Sequence, residues 1–110
     1  MTTAETIVLF VAAHALCDYP LQGDFLAKGK DPWGPFPRGW WVHCLTAHAA
    51  IHAGAVLLIP GSVSLAVAEF VRHWLIDLGK CSGCYGFHVD QALHFACKAL
   101  WVALIVGGVA

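Results

Sequence analysis

The sequence has few charged residues: Asp, Glu, Lys and Arg make up only 12% of it, against about 25% in an ordinary soluble domain. Its six Lys and Arg residues form no basic run. A row of phosphates therefore has nothing to neutralise it, and we expect no nucleic-acid partner. Residues 1–8 also contain no Lys or Arg, so the basic start of a secretory signal peptide is missing. We expect the apolar stretch that follows to remain in the mature protein.

Paired cysteine motifs are scarce as well. The five cysteines are an odd number, and Cys17, Cys44 and Cys97 lie in apolar stretches, where we interpret them as small buried hydrophobic residues. Cys81 and Cys84 have the C-x-x-C spacing of a zinc half-site or a redox pair, but no second C-x-x-C accompanies them. We interpret this segment as a turn that happens to contain two cysteines.

Apolar residues are abundant, at 59% of the sequence, and Pro and Gly divide them into four blocks of helical length. The blocks predict helices at about 3–19, 40–59, 62–80 and 89–109. A membrane span needs about 20 residues, which the second and fourth blocks reach and the first and third approach. The sequence therefore predicts a single domain over 1–110, an all-α, four-helix up-and-down transmembrane bundle. A compact soluble bundle is the alternative, but few polar residues remain to coat it.

The ionisable residues are concentrated at one end of each predicted helix. Up-and-down threading brings those four ends to the same side of the membrane. Because residues four apart share a helix face, each helix contributes one polar pair: His14 and Asp18, His48 and His52, His73 and Asp77, Asp90 and His94. His43 is five residues before His48, so we expect it to point elsewhere. The rise of the helix places His52 deeper than His14, His48 and His73.

The distribution of basic residues predicts the orientation. Lys28, Lys30, Arg38 and Lys80 lie in the loops on the side of the polar pairs, and the opposite loops have none. The positive-inside rule therefore places the polar cluster at the cytoplasmic face and both termini outside. Ionisable groups within a bilayer are costly, and a cluster of them is a functional hypothesis by default.

Several spaced polar motifs make the chain resemble a known family. The segments "AHALCDYPLQGDFLAKGK", "AHAAIHA" and "EFVRHWLIDLGKCSGCYGFHVDQALHFACKALW" are similar to an uncharacterised family of small multi-span membrane proteins of bacteria and their phages, domain of unknown function 3307. Its pattern falls here on His14, Asp18, Gln22, His48, His52, His73, Asp77, Lys80, Asp90, Gln91 and His94. The resemblance implies a multi-pass protein of the bacterial cytoplasmic membrane, and it brings no established activity.

Imidazole and carboxylate groups that converge in a confined site are a natural ligand set for a divalent transition metal. We therefore predict a metal site, with Zn²⁺ as the first choice, formed by His14, Asp18, His48, His52, His73, Asp77, Asp90 and His94. These are more ligands than one ion needs, and two ions bridged by a carboxylate would use them well. Paired metals recur in phosphoester hydrolysis. We predict a metal-dependent hydrolase of a lipid-linked or membrane-associated ester. Lys80, Gln22 and Gln91, at the aqueous rim, would either contact substrate or support the metal ligands from behind.

Other functions keep the same residues. The cluster can relay protons or metal ions as a conduit, in one chain or in a homo-oligomer, and single His/Asp pairs can simply hold membrane helices together. A non-enzymatic phage membrane effector, such as a lysis accessory or an exclusion factor, is a third class. The expected partner in every case is membrane lipid. We expect Lys98 and Arg72 to pair with Glu69 or to extend towards the membrane surface.

Overall fold

The computed structural model describes residues 1–108, which form five helices and no strand. The helices are α1 (Thr3–Asp18), α2 (Gly23–Gly29), α3 (Trp40–Leu58), α4 (Val63–Cys81) and α5 (Phe87–Val106). The prediction of an all-α protein is therefore confirmed. The long helices begin and end within three residues of the predicted bounds, and residue 109, the predicted end of the last helix, lies outside the described residues. The short helix α2 was not predicted.

Local signals in the sequence fix several helix ends. The Thr2 hydroxyl accepts a hydrogen bond from the Glu5 amide at 3.1 Å, and the Glu5 carboxylate accepts one from the Thr2 amide at 2.8 Å. This reciprocal capping box satisfies two free amides at the start of α1. Ser62 caps α4 by accepting from the Leu65 amide. Gly39, at a φ of 88°, supplies the left-handed conformation from which α3 begins.

The four long helices pack in a ring in which each contacts two neighbours. Helix α1 packs against α3 and α5, α4 packs against the same two helices, and α2 packs against α3. Neighbours run antiparallel, as the contacts between α3 and α4 show: the early His48 meets the late Asp77, and the later His52 meets His73. The described chain is elongated, with extents of 44 × 23 × 22 Å.

The interior of this ring is polar in one half and apolar in the other. The apolar half is a cluster of buried side chains, Phe10, Val56, Leu65, Cys97 and Trp101. The other half holds the buried His, Asp and Glu residues. Antiparallel threading produces this division because it gathers the polar ends of all four helices at one end of the ring.

Helix α4 turns Glu69, His73 and Asp77 inwards and a stripe of apolar residues outwards, and its Arg72 is exposed. Val63, Val67, Val71 and Leu75 are exposed at successive turns, whereas the Glu69 side chain on the opposite face is only 1% exposed. A helix on the surface of a soluble domain has the reverse arrangement.

Two helices, α3 and α5, are long and apolar enough to cross a membrane, and the pair α1 and α2 qualifies as one broken span bent by 79°. Association with a membrane is therefore indicated. Helix α4 is not among these candidates, and its charged residues include Glu69, Arg72, Asp77 and Lys80.

Candidate metal centre

Asp18, the last residue of α1, is the carboxylate at the centre of the polar half. Its Oδ1 atom lies 2.8 Å from His52 Nε2 and 3.3 Å from His48 Nε2, and these two imidazoles are one turn apart on α3. Its Oδ2 atom lies 3.1 Å from His14 Nε2, one turn back on α1. One carboxylate therefore contacts three histidines from two helices.

His73, from α4, completes the group. Its ring stacks on His52 with centroids 3.8 Å apart and on His94 with centroids 4.2 Å apart. The side chain is 1% exposed, and neither ring nitrogen has a hydrogen-bond partner. Asp18, His48, His52 and His73 each offer a ligand atom, and these four atoms all lie within 4.8 Å of one another. We call these four residues the primary group.

The primary group has the dimensions of a metal site. Tetrahedral Zn²⁺ with ligands at about 2.0–2.1 Å places its ligand atoms roughly 3.3 Å apart. The two distances from Asp18 Oδ1, 2.8 and 3.3 Å, are close to that value. Even a set of atoms 4.8 Å apart would need to move inwards by only about 0.9 Å each to reach it. Three imidazoles and one carboxylate also match the ligand preferences of Zn²⁺, Mn²⁺ and Fe²⁺.

A second set of polar side chains lies beside the primary group, on α5. Asp90 Oδ1 is 3.2 Å from His94 Nε2 but accepts no hydrogen bond. The Gln91 amide nitrogen donates to Asp18 Oδ2 at 3.2 Å and to Asp90 Oδ2 at 3.3 Å, and its oxygen lies 3.0 Å from His14 Nε2. The structure thus places Gln91 between two carboxylates and a histidine, as well as at the cavity described below.

Asp77 lies at the edge of the cluster and is held by a lysine. Its Oδ2 atom is 2.6 Å from Lys30 Nζ and 3.6 Å from His48 Nε2. Both side chains of the ion pair are buried. From the sequence, Lys30 served only as one of the basic residues that predict the membrane orientation. Its contact was not predicted, because a residue in a loop has no helical phase from which its direction can be inferred. Asp77 is close to the primary group but does not belong to it.

A cavity of about 120 Å³ adjoins the cluster, enough for roughly four water molecules. Its walls include the three residues expected at the rim. Gln22 donates to the Asp18 carbonyl oxygen at 2.9 Å, and Lys80 Nζ lies 6.0 Å from the centre of the Phe87 ring. The remaining walls are Asp18, Tyr19, Lys30, His48, His73, Asp77, Phe87, Asp90 and His94. The cavity therefore reaches three of the four residues of the primary group.

A buried network extends the polar interior past His73. The Glu69 carboxylate accepts hydrogen bonds from Lys98 Nζ and, at 2.7 Å, from Trp101 Nε1. It also lies 3.4 Å from His73 Nδ1. The expected pairing of Lys98 with Glu69 is confirmed, and Arg72 instead lies 6.0 Å from the centre of the Trp101 ring.

The buried charges do not balance. Lys98 pairs with Glu69 and Lys30 pairs with Asp77, so these four residues contribute no net charge. Within residues 1–108, Asp18 and Asp90 have histidines as their only basic partners. Buried charges are normally paired or bound to a metal. The two carboxylates together match the charge of one divalent cation.

The histidine and the cysteines left out of the predicted site are not part of the primary group. His43 is exposed, as expected from its helical phase. All five cysteines are free, and Cys17, Cys44 and Cys97 are buried, in agreement with their interpretation as hydrophobic residues. In the turn after α4, the Tyr85 hydroxyl donates to the Ile76 carbonyl oxygen, and burial raises the pKa of Tyr85.

Comparison with known proteins identifies the family of the chain. No curated protein and no solved structure matches the chain. A family model matches residues 6–108, a range that contains every residue of the predicted site. The chain therefore belongs to the family described as protein of unknown function (DUF3307).

Proposed function

We propose that this protein is an integral membrane protein of the bacterial cytoplasmic membrane that binds a divalent transition metal ion and uses it to hydrolyse a lipid-linked or membrane-associated ester. The ion, Zn²⁺ as first choice, binds at Asp18, His48, His52 and His73. The observation that carries the proposal is the convergence of their four ligand atoms within 4.8 Å, three of them from buried histidines. The carboxylate in this group has no Lys or Arg partner among the described residues.

A metal ion accounts for the primary group better than hydrogen bonding between helices does. Hydrogen-bonded helices would give each buried nitrogen a partner, yet His73 Nε2 and His48 Nδ1 have none. His73 Nδ1 has only the Glu69 carboxylate, 3.4 Å away and outside hydrogen-bond geometry. Each buried polar atom left without a partner costs about 1–3 kcal/mol. A divalent ion would use the lone pair of His73 and neutralise Asp18 in one step.

The outer surface supports placement in a bilayer. The exposed apolar stripe of α4, Val63, Val67, Val71 and Leu75, suits contact with lipid. Its charged Glu69 and Asp77 are turned inwards, so a hydropathy averaged around the helix understates how apolar its outer face is. At a rise of about 1.5 Å per residue, α1 is about 24 Å long and α5 about 30 Å, close to a hydrocarbon core of about 30 Å. We propose that all four long helices span the membrane.

The cavity supports hydrolysis. The four residues of the primary group would fill a tetrahedral shell, so hydrolysis requires the ion to take a fifth ligand, a water on the cavity side. The ion would make that water acidic enough to supply hydroxide near neutral pH. The cavity reaches Asp18, His48 and His73, so a substrate can approach the ion from that side. Lys80 and Gln22 line the same cavity, where they can hold an ester group in place.

The basic residues of the loops support a cytoplasmic position for the cavity. They are Lys28, Lys30, Arg38 and Lys80, all at the cavity end of the bundle, and by the positive-inside rule such loops face the cytoplasm.

A conduit for protons or metal ions is the second candidate, and the Glu69 network favours it. Glu69 and Lys98 continue the buried polar interior beyond His73, on the side away from the cavity. A conduit must nevertheless pass the apolar cluster around Phe10, Val56 and Trp101. Hydrolysis needs only the cavity and is the function we favour.

Metal content is the first test. Wild-type protein, purified in detergent and reconstituted with Zn²⁺, is expected to retain the ion through desalting, and His73→Ala is expected to lose at least nine tenths of it. His43→Ala is the matched control, because His43 is an exposed histidine outside the cluster. No retention by wild-type protein, or equal loss in both variants, would overturn the metal site.

Activity is the second test. Zn²⁺-loaded protein in vesicles is offered carboxylic and phosphate esters of bacterial lipids, and products are followed by mass spectrometry. We expect turnover that His73→Ala abolishes and His43→Ala keeps. Metal retention without turnover, together with proton or Zn²⁺ flux across the vesicle membrane, would favour the conduit instead.

A further inference from the structure

The two oxygens of Asp18 face different groups of ligands. Oδ1 is close to His48 and His52, at 3.3 and 2.8 Å, and Oδ2 is close to His14, at 3.1 Å. The primary group uses the Oδ1 side. Paired metal ions in hydrolytic sites lie about 3.5–4 Å apart, a separation that one carboxylate can bridge. The geometry of Asp18 therefore leaves one oxygen available for a second ion.

Potential ligands are present on the Oδ2 side. Asp90 is 3% exposed, and its Oδ1 atom lies 3.2 Å from His94 Nε2 without accepting a hydrogen bond. His94 and His14 are both buried, with ring centroids 5.8 Å apart. The Asp90 carboxylate oxygen and the His94 imidazole nitrogen thus lie side by side without a hydrogen bond between them. Ligands to a common cation have this arrangement. No Lys or Arg among residues 1–108 neutralises Asp90.

The Gln91 side chain marks where positive charge is accommodated. Its amide NH₂ group, the electropositive end of the side chain, donates to both Asp18 Oδ2 and Asp90 Oδ2. A cation bound near these two carboxylates would take over that role. Gln91 also lines the cavity, so its amide has space into which it can turn.

We propose that a second divalent ion binds between Asp18 Oδ2, His14, Asp90 Oδ1 and His94, and that Asp18 bridges it to the ion of the primary group. This inference rests on the proposed function. The second set is less closely gathered than the primary group, which alone has all its ligand atoms within 4.8 Å in the described chain. Entry of the second ion therefore requires Gln91 to leave and the α5 ligands to move towards Asp18.

The second ion also specifies the class of substrate. One divalent ion would balance the unpaired charges of Asp18 and Asp90. With neutral histidines, a second divalent ion would leave the polar half of the bundle with two net positive charges. An anionic ester complements this charge and a neutral ester does not. The inference therefore selects phosphate esters over carboxylic esters in the hydrolysis assay described above.

Manganese provides a direct test, because two bridged Mn²⁺ ions give an exchange-coupled multiline electron paramagnetic resonance spectrum and a single ion gives six lines. Mn²⁺-loaded wild-type protein is expected to hold two equivalents and to show the coupled spectrum. Asp90→Asn and His94→Ala are each expected to reduce this to one equivalent and six lines. His88→Ala is the control, since His88 is an exposed histidine two residues from Asp90.

The outcomes separate the second ion from the first. One equivalent with a six-line spectrum in wild-type protein would overturn the second ion and leave the primary group intact. Two equivalents that persist in both Asp90→Asn and His94→Ala would overturn the ligand assignment. No bound metal would contradict the proposed function itself. Circular dichroism of each variant shows whether it has folded, and the measurement on wild-type protein decides the question even if a variant has not.

Discussion

Replacing Lys98 by methionine should strongly destabilise the protein. Lys98 Nζ donates to the Glu69 carboxylate, and the two side chains are 8% and 2% exposed. Methionine approximates the apolar stem of lysine up to Cε and lacks the ammonium group. Glu69 then remains as a buried carboxylate whose closest neutralising partner is gone.

The magnitude follows from this burial. Removing one partner of a buried ion pair costs about 3–5 kcal/mol, because the other charge is left uncompensated. Trp101 Nε1 still donates to Glu69 at 2.7 Å, which places the expected loss near the lower end, about 3 kcal/mol. In the double variant Glu69→Gln, Lys98→Met neither charge remains, so we expect it to be more stable than Lys98→Met alone.

Unfolding by sodium dodecyl sulfate in mixed micelles measures these free energies. Lys28→Met is the matched control, because Lys28 pairs with Asp24 at 3.0 Å while both side chains are more than half exposed. An exposed pair of this spacing contributes about 0.3–0.5 kcal/mol. A loss in Lys98→Met as small as that in Lys28→Met would refute the reasoning, and so would a double variant whose loss equals the sum of the two single losses.

Three further predictions concern packing, metal and orientation. A Cβ at Gly79 would lie 2.5 Å from the Tyr85 hydroxyl oxygen, so Gly79→Ala should lower the free energy of unfolding by about 1–3 kcal/mol. Gly54 lies in open space within α3, so Gly54→Ala should be neutral or stabilising, and equal effects of the two substitutions would contradict this packing. Chelation should lower the melting temperature of wild-type protein, because an ion at 100 times its Kd adds about 2.7 kcal/mol to the free energy of unfolding. An equal shift in Asp18→Asn would argue against metal loss as the cause. Cys84 is exposed in the turn after α4, so a membrane-impermeant maleimide should label it in inverted vesicles, in which the cytoplasmic face points outwards. Labelling in intact spheroplasts instead would show that the predicted orientation is wrong.

Helical periodicity was sufficient to predict much of this structure. Pairs four residues apart, such as His48 and His52, share a helix face in any α-helix, and antiparallel threading brings the polar ends together whatever the details of packing. The four long helices and the convergence of their polar faces were therefore predictable. The burial of Cys17, Cys44 and Cys97 was predicted from the apolar stretches in which they lie.

Features that depend on tertiary contacts were not predictable in this way. Lys30 reaches Asp77 because α2 packs against α3, and no local pattern encodes that packing. The rise along the helices predicted His52 to lie about 9 Å deeper than His14, but their ring centroids are only 5.3 Å apart. The rise along each helix measures depth only from that helix's own end, so it cannot give the relative axial positions of two helices. Those positions are set by packing.

The division of the interior favours a closed chamber over a continuous pathway. From the cavity, polar groups can be followed through His73 to Glu69 and Lys98, where the carboxylate is already satisfied by the lysine and by Trp101. Beyond them lie Phe10, Val56 and Leu65, whose packed side chains offer neither a donor nor an acceptor. A transported ion would have to give up its ligands there without replacement, and in a low-dielectric interior that is prohibitively unfavourable. The proposed hydrolytic site would gain from the same packing, because the apolar cluster would keep the far half of the bundle dry while water and substrate entered the cavity from one side.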